Sequence, residues 1–290
     1  NAGAIRFVDW AGDSFYNALQ LGVTKRMSRG LQIQGSYTWG KSIDSNSGVI
    51  AGDTLANSVS SLQWFDLKMN RAVSDYDIGR TLVINTTWQL PGSKGAPRPV
   101  AWATNGWQLG GIFRVSDGPP FTPTFGTDGD PLGLNSSDPY DFPNRLTGPG
   151  CNSPVNPGNP KNYIKTECFA VATAPSAAFY AANCDPSRGT FPQCFNLRGN
   201  AGRNILEGPG LANLDFSLFK NNTFKGISET FNAQFRVEVF NILNHPNFAP
   251  PTLANSQIFD SSGALNPNAG LLTGTTTSAR QIQFALKVIW

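Results

Sequence analysis

The last eleven residues of the chain, Arg280-Gln281-Ile282-Gln283-Phe284-Ala285-Leu286-Lys287-Val288-Ile289-Trp290, alternate in side-chain character. Every second residue is large and apolar: Ile282, Phe284, Leu286, Val288 and Trp290. Because successive side chains of a β-strand point to opposite faces, the stretch predicts a strand with one apolar and one mostly polar face. A strand of a soluble β-sandwich and a strand of a membrane β-barrel would both show this alternation. The rest of the chain has to distinguish the two folds.

Six further stretches repeat the alternation: residues 14–27, 31–44, 80–90, 106–116, 211–220 and 228–241. Their lengths match the roughly 9 to 11 residues that a tilted strand needs to cross a bilayer. No proline lies inside any of them, as an inner strand of a sheet requires. Residues 4–10 are a candidate for one additional short strand.

The connections between these strands alternate in length. Counted back from the C-terminus they are long, short, long, moderate, long and short, so that all long ones fall on one side. Bacterial outer-membrane barrels combine short periplasmic turns with long outer loops. The pattern predicts an all-β fold, an antiparallel up-and-down transmembrane β-barrel segment of about seven long strands. Residues 1–290 form a single barrel region, with residues 121–210 as a long extracellular loop.

Composition narrows the function classes. Hydrophobic residues make up 40% and charged residues 14% of the chain, and the net charge of +3 is too small to indicate nucleic-acid binding. No run of about 18 apolar residues predicts a transmembrane helix. The chain opens on Asn1 without a methionine or a signal peptide, and we expect further sequence upstream.

The barrel hypothesis assigns the two faces. Aromatic residues that would form girdles at the two membrane interfaces are Trp88, Trp107 and Trp290 at the periplasmic end and Phe15 and Trp39 toward the outer end. Polar side chains of the opposite parity would line a wet or plugged lumen: Gln34, Arg114, Asp215, Gln234, Arg236, Glu238 and Gln283. In a secreted sandwich this banding of aromatics by depth would be a coincidence.

The four cysteines, Cys151, Cys168, Cys184 and Cys194, all lie in the predicted 121–210 loop. They lack Cys-x-x-Cys spacing and have no histidine nearby, which argues against zinc. An external loop favours two disulfides, and three pairings are possible. Cys151–Cys168 with Cys184–Cys194 is the pairing that we favour.

No catalytic, metal or cofactor site is predicted. His245, the only histidine, follows the sixth strand in Asn244-His245-Pro246 and has no nucleophile motif to serve. The stretches Asp44-Ser45-Asn46-Ser47-Gly48 and Asp128-Gly129-Asp130 resemble half a calcium loop, but the glutamate that would complete it is missing. Turn formation is the better interpretation of both.

Several stretches together resemble the C-terminal barrel of TonB-dependent outer-membrane receptors of the Oar-like kind. They are Tyr16-Asn17-Ala18-Leu19-Gln20, Tyr37-Thr38-Trp39-Gly40-Lys41-Ser42-Ile43-Asp44, Gly202-Arg203-Asn204, Gly208-Pro209-Gly210, Asn213-Leu214-Asp215-Phe216-Ser217-Leu218-Phe219-Lys220, the stretch from Phe235-Arg236-Val237 through His245-Pro246-Asn247-Phe248, and Arg280-Gln281-Ile282-Gln283-Phe284-Ala285-Leu286-Lys287. The motifs are specific as a set and weak singly.

The resemblance implies a barrel of about 22 strands with an N-terminal plug and a TonB box, of which this chain would be roughly the last third. Such receptors take up scarce ligands with energy passed from the inner membrane. The resemblance also implies a C-terminal signal for the barrel-assembly machinery, here Phe284, Leu286, Val288 and Trp290. The family usually ends on Phe, so Trp290 is a departure.

The expected function is therefore ligand uptake by an outer-membrane receptor and not enzymatic catalysis. The expected partners are outer-membrane lipid, the barrel-assembly machinery, an unknown ligand, and TonB through the missing N-terminal region. Two alternatives remain: a small self-contained barrel with a structural or adhesive role, and a secreted β-sandwich binding module.

Overall fold

Seven long strands dominate the fold. The computed structural model describes residues 12–48, 67–125, 142–171, 199–224, 231–260 and 263–290. Within them the long strands are β1 (Ser14–Ser28), β2 (Leu31–Asp44), β3 (Arg80–Gln89), β4 (Trp107–Ser116), β5 (Leu211–Thr223), β6 (Asn232–Phe240) and β7 (Gln281–Ile289). All seven were predicted from alternation. β5 extends three residues past the predicted end, and β6 begins at Asn232, with residues 225–230 outside the described ranges.

The long strands form one antiparallel sheet in strict chain order from β1 to β7. The turn between β1 and β2 illustrates how neighbouring strands are joined. Arg29 and Gly30 both have positive φ, the geometry of a two-residue turn whose twist matches paired strands. A Cβ on Gly30 would lie 2.4 Å from the carbonyl oxygen of Gln89, so only glycine fits there. The predicted all-β, up-and-down architecture is confirmed.

The sheet is open. Among the described residues, β1 pairs with β2 alone and β7 pairs with β6 alone, so no ladder joins the first strand to the last. The candidate strand at residues 4–10 lies outside the described residues. An open fragment was predicted, and this arrangement is consistent with it.

The register collects the alternating residues on common faces. Val237 stands between Leu218 and Phe284, which places three apolar residues in one row across β5, β6 and β7. One step along, Glu238 stands between Ser217 and Gln283. The sheet therefore has one mostly apolar face and one mostly polar face, each several strands wide.

The ends of the sheet differ. At the short-turn end lie the β1–β2 turn, the β3–β4 connection and the β5–β6 connection. The β3–β4 connection contains helix α1 (Arg98–Thr104). At the long-loop end lie the β2–β3, β4–β5 and β6–β7 loops. No helix among the described residues is long and apolar enough to span a membrane.

The long loops contain regular structure in the parts that the structure describes, although the alternation analysis placed no strand in them. They contain short strands at Ala72–Val73, Pro120–Phe121, Thr124–Phe125, Asn144–Arg145, Phe169–Ala170, Leu206–Glu207 and Gln257–Phe259, 3-10 turns at Leu67–Asn70 and Thr166–Cys168, and helix α2 (Leu253–Ser256). Thr124–Phe125 pairs in parallel with Gln257–Phe259 and so joins the β4–β5 loop to the β6–β7 loop.

These two loops share a hydrophobic core. Phe121, Ile164, Leu206 and Ile258 are almost completely buried in it, although none of them belongs to the sheet. Their apolar side chains show no period of two because they are packed by tertiary contacts and not by a pleated strand. The loops at this end form a folded cap.

Candidate functional site

One buried arginine connects the cap to the sheet. Arg203, in the β4–β5 loop, donates from Nη2 to the carboxylate of Asp44 and to its carbonyl oxygen at 3.0 Å. From Nη1 it donates to Asp75 Oδ1 at 3.1 Å and to Ser47 Oγ at 2.9 Å. Nε donates to the carbonyl oxygen of Asn70 at 3.3 Å. One side chain therefore ties the β4–β5 loop to the end of β2 and to the β2–β3 loop.

The next residue reinforces this contact. Asn204 has a φ of 57°, a left-handed conformation that asparagine tolerates better than most residues. Its amide N donates to Thr122 Oγ1 at 2.9 Å, and Nδ2 donates to the carbonyl oxygen of Val73 at 2.7 Å and to the carboxylate of Asp75. We call Asp44, Ser47, Asp75, Arg203 and Asn204 the loop junction.

The loop junction is buried and excludes water. The side chains of Arg203, Asp44 and Asp75 are exposed by only 4%, 1% and 2%. Charges so far from water are tolerated only when they are paired and hydrogen-bonded, and removal of one partner leaves the others uncompensated. Two carboxylates share one guanidinium, and Asp75 Oδ2 has no partner in the part of the chain that the structure describes. The junction can therefore hold the loops in one arrangement.

A cavity of about 220 Å³ lies beside the loop junction. Its charged lining consists of Lys41, Asp77, Asp117 and Glu207. Burial raises the pKa of Asp77 although the backbone amide of Ser42 donates to its Oδ1 at 2.6 Å. Burial also raises the pKa of Glu207, and the nearby Asp117 carboxylate raises it further. Three carboxyl groups and one lysine therefore line an open cavity.

The hydroxyl of Tyr163 contacts the backbone of one of the lining residues, Glu207. Tyr163 donates from its hydroxyl to the carbonyl oxygen of Glu207 at 2.9 Å. Burial, with a smaller contribution from the Glu207 carboxylate, raises the pKa of Tyr163 to about 12. The tyrosine therefore stays protonated at all physiological pH values and acts as a structural donor.

We expect Glu207→Gln to stabilise the cap at neutral pH and to have no effect in acid. A carboxyl with a raised pKa in the folded state favours folding below its unfolded pKa and loses that contribution as pH rises through the folded pKa. Glutamine mimics the protonated form, so the difference from the native protein should appear only above that range. Amide hydrogen exchange of residues 199–210 at several pH values measures it. An equal stabilisation at every pH would contradict the assignment to ionisation.

The predicted girdle residues occupy the two ends of the apolar face. Trp88 pairs with Leu31 and Leu109, and Trp107 pairs with Lys220, both near the short-turn end. Trp290 directly follows β7 at the same end. Trp39, opposite Leu19, and Phe15, opposite Ile43, lie toward the long-loop end. All five share the parity of the apolar rows and lie toward the ends of their strands, and their role as girdles at the membrane interfaces stays a prediction.

The predicted lumen residues share the polar face. Gln34, Arg114, Asp215, Gln234, Arg236, Glu238 and Gln283 all have the parity opposite to the apolar rows. Some of them contact each other: Arg236 donates to Gln234, and Asp215 accepts from the side-chain amide of Asn213 at 2.8 Å. The guanidinium of Arg236 also lies 5.2 Å from the ring of Phe219, one of several apolar residues on this face together with Val83, Ile112 and Phe240.

The predicted assembly-signal residues, Phe284, Leu286, Val288 and Trp290, are all exposed on the apolar side of β7. Phe284 stacks against Phe235 of β6 with ring centroids 6.3 Å apart. Nothing in the described residues covers this row, which leaves it accessible along the last strand.

Two of the four cysteines lie within the described residues. Cys151 and Cys168 form a disulfide with a sulfur–sulfur distance of 2.02 Å, next to the hydrophobic core of the cap. This is one half of the favoured pairing. Cys184 and Cys194 lie outside the described residues, and their pairing stays a prediction.

A mass measurement without reductant tests both bridges. Each disulfide removes two hydrogens, so the mature protein should be four hydrogens lighter than its reduced form. Peptide mapping should then find Cys151 with Cys168 and Cys184 with Cys194. Four free thiols would contradict the prediction of an oxidised loop and reopen metal binding by these cysteines.

The other residues considered for catalysis or metal binding make structural contacts within the described residues. The amide N of His245 donates to Asn241 Oδ1 at 2.9 Å, and His245 Nδ1 lies 3.1 Å from Asn247 Oδ1. Asp44 and Ser47, from the half calcium loop, belong to the loop junction, whereas Asp128-Gly129-Asp130 lies outside the described residues. Among the described residues, no group of three or more His, Cys, Asp or Glu side chains is arranged to hold a metal ion.

Sequence reasoning missed the loop junction. Turn formation was the interpretation of Asp44 to Gly48, and Asp75 was not singled out. Gly202-Arg203-Asn204 was noted only as part of a resemblance. Arg203 is one of several charged residues in the β4–β5 loop, and nothing in the local sequence identifies its partners more than a hundred residues away.

The chain was compared with known proteins. The model of a family described as outer membrane beta barrel domain matches residues 1–283. No curated protein and no solved structure matches the chain.

Proposed function

The chain belongs to the outer membrane beta barrel domain family, and we propose that it is the C-terminal part of the barrel of a TonB-dependent receptor that takes up a ligand across the outer membrane. The family places the chain in the outer membrane. The proposal extends to ligand uptake, TonB coupling and membership of the Oar-like subfamily. The resemblance of the strand motifs supports this extension.

The observation that carries the proposal is the open sheet. β1 and β7 each leave one edge without a partner among the described residues. Unpaired N–H and C=O groups cannot face lipid because no water is there to bond them. Seven is also an odd number, whereas single-chain bacterial outer-membrane barrels use even counts. A large receptor barrel would supply the further strands that complete the wall.

The proposal orients the sheet. The apolar face contacts lipid, the polar face lines the lumen, the short-turn end lies in the periplasm and the cap is extracellular. The barrel-assembly machinery recognises the last strand, and TonB acts through an N-terminal region. The proposal includes neither an enzymatic activity nor binding of nucleic acid.

The loop junction has a role in this arrangement. A receptor that must hold its ligand above a lumen needs loops with a fixed mutual geometry, because loops that must be ordered on binding lower the affinity. Arg203 provides that geometry by joining two loops to the end of β2, and the parallel ladder at Thr124–Phe125 joins the third loop. The cap would thus form a preorganised entrance.

Closure of the barrel is tested by hydrogen exchange on the complete protein that contains this chain. We expect the outer-edge amides of β1 and β7 to be as strongly protected as those of β4, because partner strands cover them. The seven strands alone should show rapid exchange at both edges and no conductance in a planar bilayer. Rapid exchange at these edges in the complete protein would favour a different assembly.

Energised uptake is tested in cells. Site-specific crosslinking of the complete protein should give an adduct with TonB, and deletion of its gene or of tonB should abolish growth on the same limiting nutrient. Growth that depends on the protein but not on TonB would favour the alternative, a barrel with a structural or adhesive role.

A further inference from the structure

The β3–β4 connection contains a helix, α1, that contacts the sheet through its last turn. None of the seven residues of α1 is buried, and Val100 and Trp102 are 48% and 61% exposed. An isolated helix of two turns is unstable in water, so a helix of this length needs support from its surroundings. Its central residues, Val100 to Ala103, are all apolar. Water on all sides of such an apolar segment would not stabilise it as a helix.

The side chain of Lys220 shows where the helix lies. Lys220 belongs to β5 and pairs with Trp107 and Phe235, in the parity of the apolar face. It is nevertheless buried, because its Nζ donates to the carbonyl oxygens of Trp102, at 2.7 Å, and of Asn105. A cation at the C-terminal carbonyls of a helix is favourable. The last turn of α1 therefore covers a residue of the apolar face.

Two indole rings complete this contact. Lys220 Nζ lies 5.7 Å from the Trp102 ring and 5.6 Å from the Trp107 ring, and Trp107 Nε1 donates to the carbonyl oxygen of Ala103 at 2.8 Å. The helix is thus continuous with the apolar face at its short-turn rim, on the outer side of the wall and not over the lumen.

We propose that α1 is an interfacial anchor that inserts Val100 and Trp102 into the head-group layer of the periplasmic leaflet of the membrane. Tryptophan is the side chain best suited to this layer, since its ring is apolar and its N–H is polar. Residues 91–105 contain two cations, Lys94 and Arg98, and no carboxylate, which favours anionic phospholipid head groups. A lipid surface explains an exposed apolar helix beside a lipid-facing wall.

The inference rests on the proposed lipid contact of the apolar face but not on TonB coupling. It is tested on the complete protein labelled with 5-fluorotryptophan and reconstituted in vesicles of phosphatidylethanolamine and phosphatidylglycerol. Trp102→Phe identifies the Trp102 fluorine resonance as the one that disappears. Trp39→Phe and Trp88→Phe identify two references on the apolar face, and Tyr76→Trp supplies a reference in the β2–β3 loop.

We expect a nitroxide lipid labelled at head-group depth to broaden the Trp102 resonance beyond detection, and a gadolinium chelate in water to leave it sharp. The new resonance that Tyr76→Trp introduces should show the opposite pattern. If Trp39 and Trp88 respond to the lipid label but Trp102 responds only to the chelate, the anchor is wrong while the barrel proposal stands. Protection of Trp102 from both probes would mean that protein covers it, and would also overturn the anchor. If none of the three responds to the lipid label, the proposed lipid face itself fails.

Discussion

Replacing Arg203 with methionine is expected to release the long loops from one another and from the sheet, at a cost of about 3–5 kcal/mol. Methionine preserves much of the volume but leaves the carboxylates of Asp44 and Asp75 buried without their guanidinium. The seven strands should remain folded, because none of their ladder hydrogen bonds involves this side chain. The effect is therefore local to the cap.

Hydrogen exchange of the complete protein measures this effect. Amides of residues 70–77 and 199–207 should exchange much faster in Arg203→Met, while those of β4 and β5 should not change. Arg80→Met is the matched control, since Arg80 also pairs with an aspartate, Asp117, but its side chain is 64% exposed. An exposed pair that solvent screens contributes little to stability, so Arg80→Met should leave these amides unchanged.

A second control removes the charges left behind. Asp44→Asn with Asp75→Asn in the Arg203→Met background should recover part of the lost stability, because neutral amides tolerate burial better than unpaired carboxylates. Equal exchange in Arg203→Met and Arg80→Met, with no recovery in the triple variant, would show that the junction does not hold the loops.

Val237→Arg is expected to destabilise the barrel in the membrane by about 2–4 kcal/mol, the cost of a cation near the midplane of a lipid face. Val237 lies near the middle of β6 between Leu218 and Phe284. Gln283→Arg is a matched control one row away on the polar face, where the new cation would stand opposite Glu238. Gln234→Arg is a second control on the same face.

The measurement is the amount of folded protein in outer membranes together with its unfolding by denaturant in vesicles. Val237→Arg should lower both, and the two glutamine variants should resemble the native protein. Similar losses at Val237 and Gln283 would mean that the assignment of the two faces is wrong.

The strands could be predicted because their environment imposes a simple period. A strand with one apolar face and one polar face requires apolar and polar residues to alternate. A one-residue slip of register would turn every side chain to the wrong face. Leu218, Val237 and Phe284 therefore come into one row across three strands without further information. Short connections account for the pairing of β1 with β2 and of β5 with β6, whereas the neighbours joined by long loops were predicted from the up-and-down order of outer-membrane barrels.

The cap could not be predicted because its contacts have no period. Arg203 meets Asp44 across 159 positions, and neither the spacing nor the composition of the two loops indicates the other. Similarly, Lys220 lies at a position whose parity belongs to the apolar face. Its hydrogen bond to the end of α1 depends on a bend in the chain that no local sequence pattern predicts. Such residues are found only when tertiary geometry is known.

The parallel ladder between Thr124–Phe125 and Gln257–Phe259 also sets the order in which the molecule can fold. Its two strands are separated along the chain by β5 and β6, so the ladder cannot close until both strands have been synthesised. Contacts of such large sequence separation form late, because the entropy of loop closure is lost before they stabilise the fold. Until the ladder closes, Phe121 and Ile258 lack the complete core that buries them in the folded cap. In the extracellular orientation that we propose for the cap, these loops would cross the membrane before that core has formed.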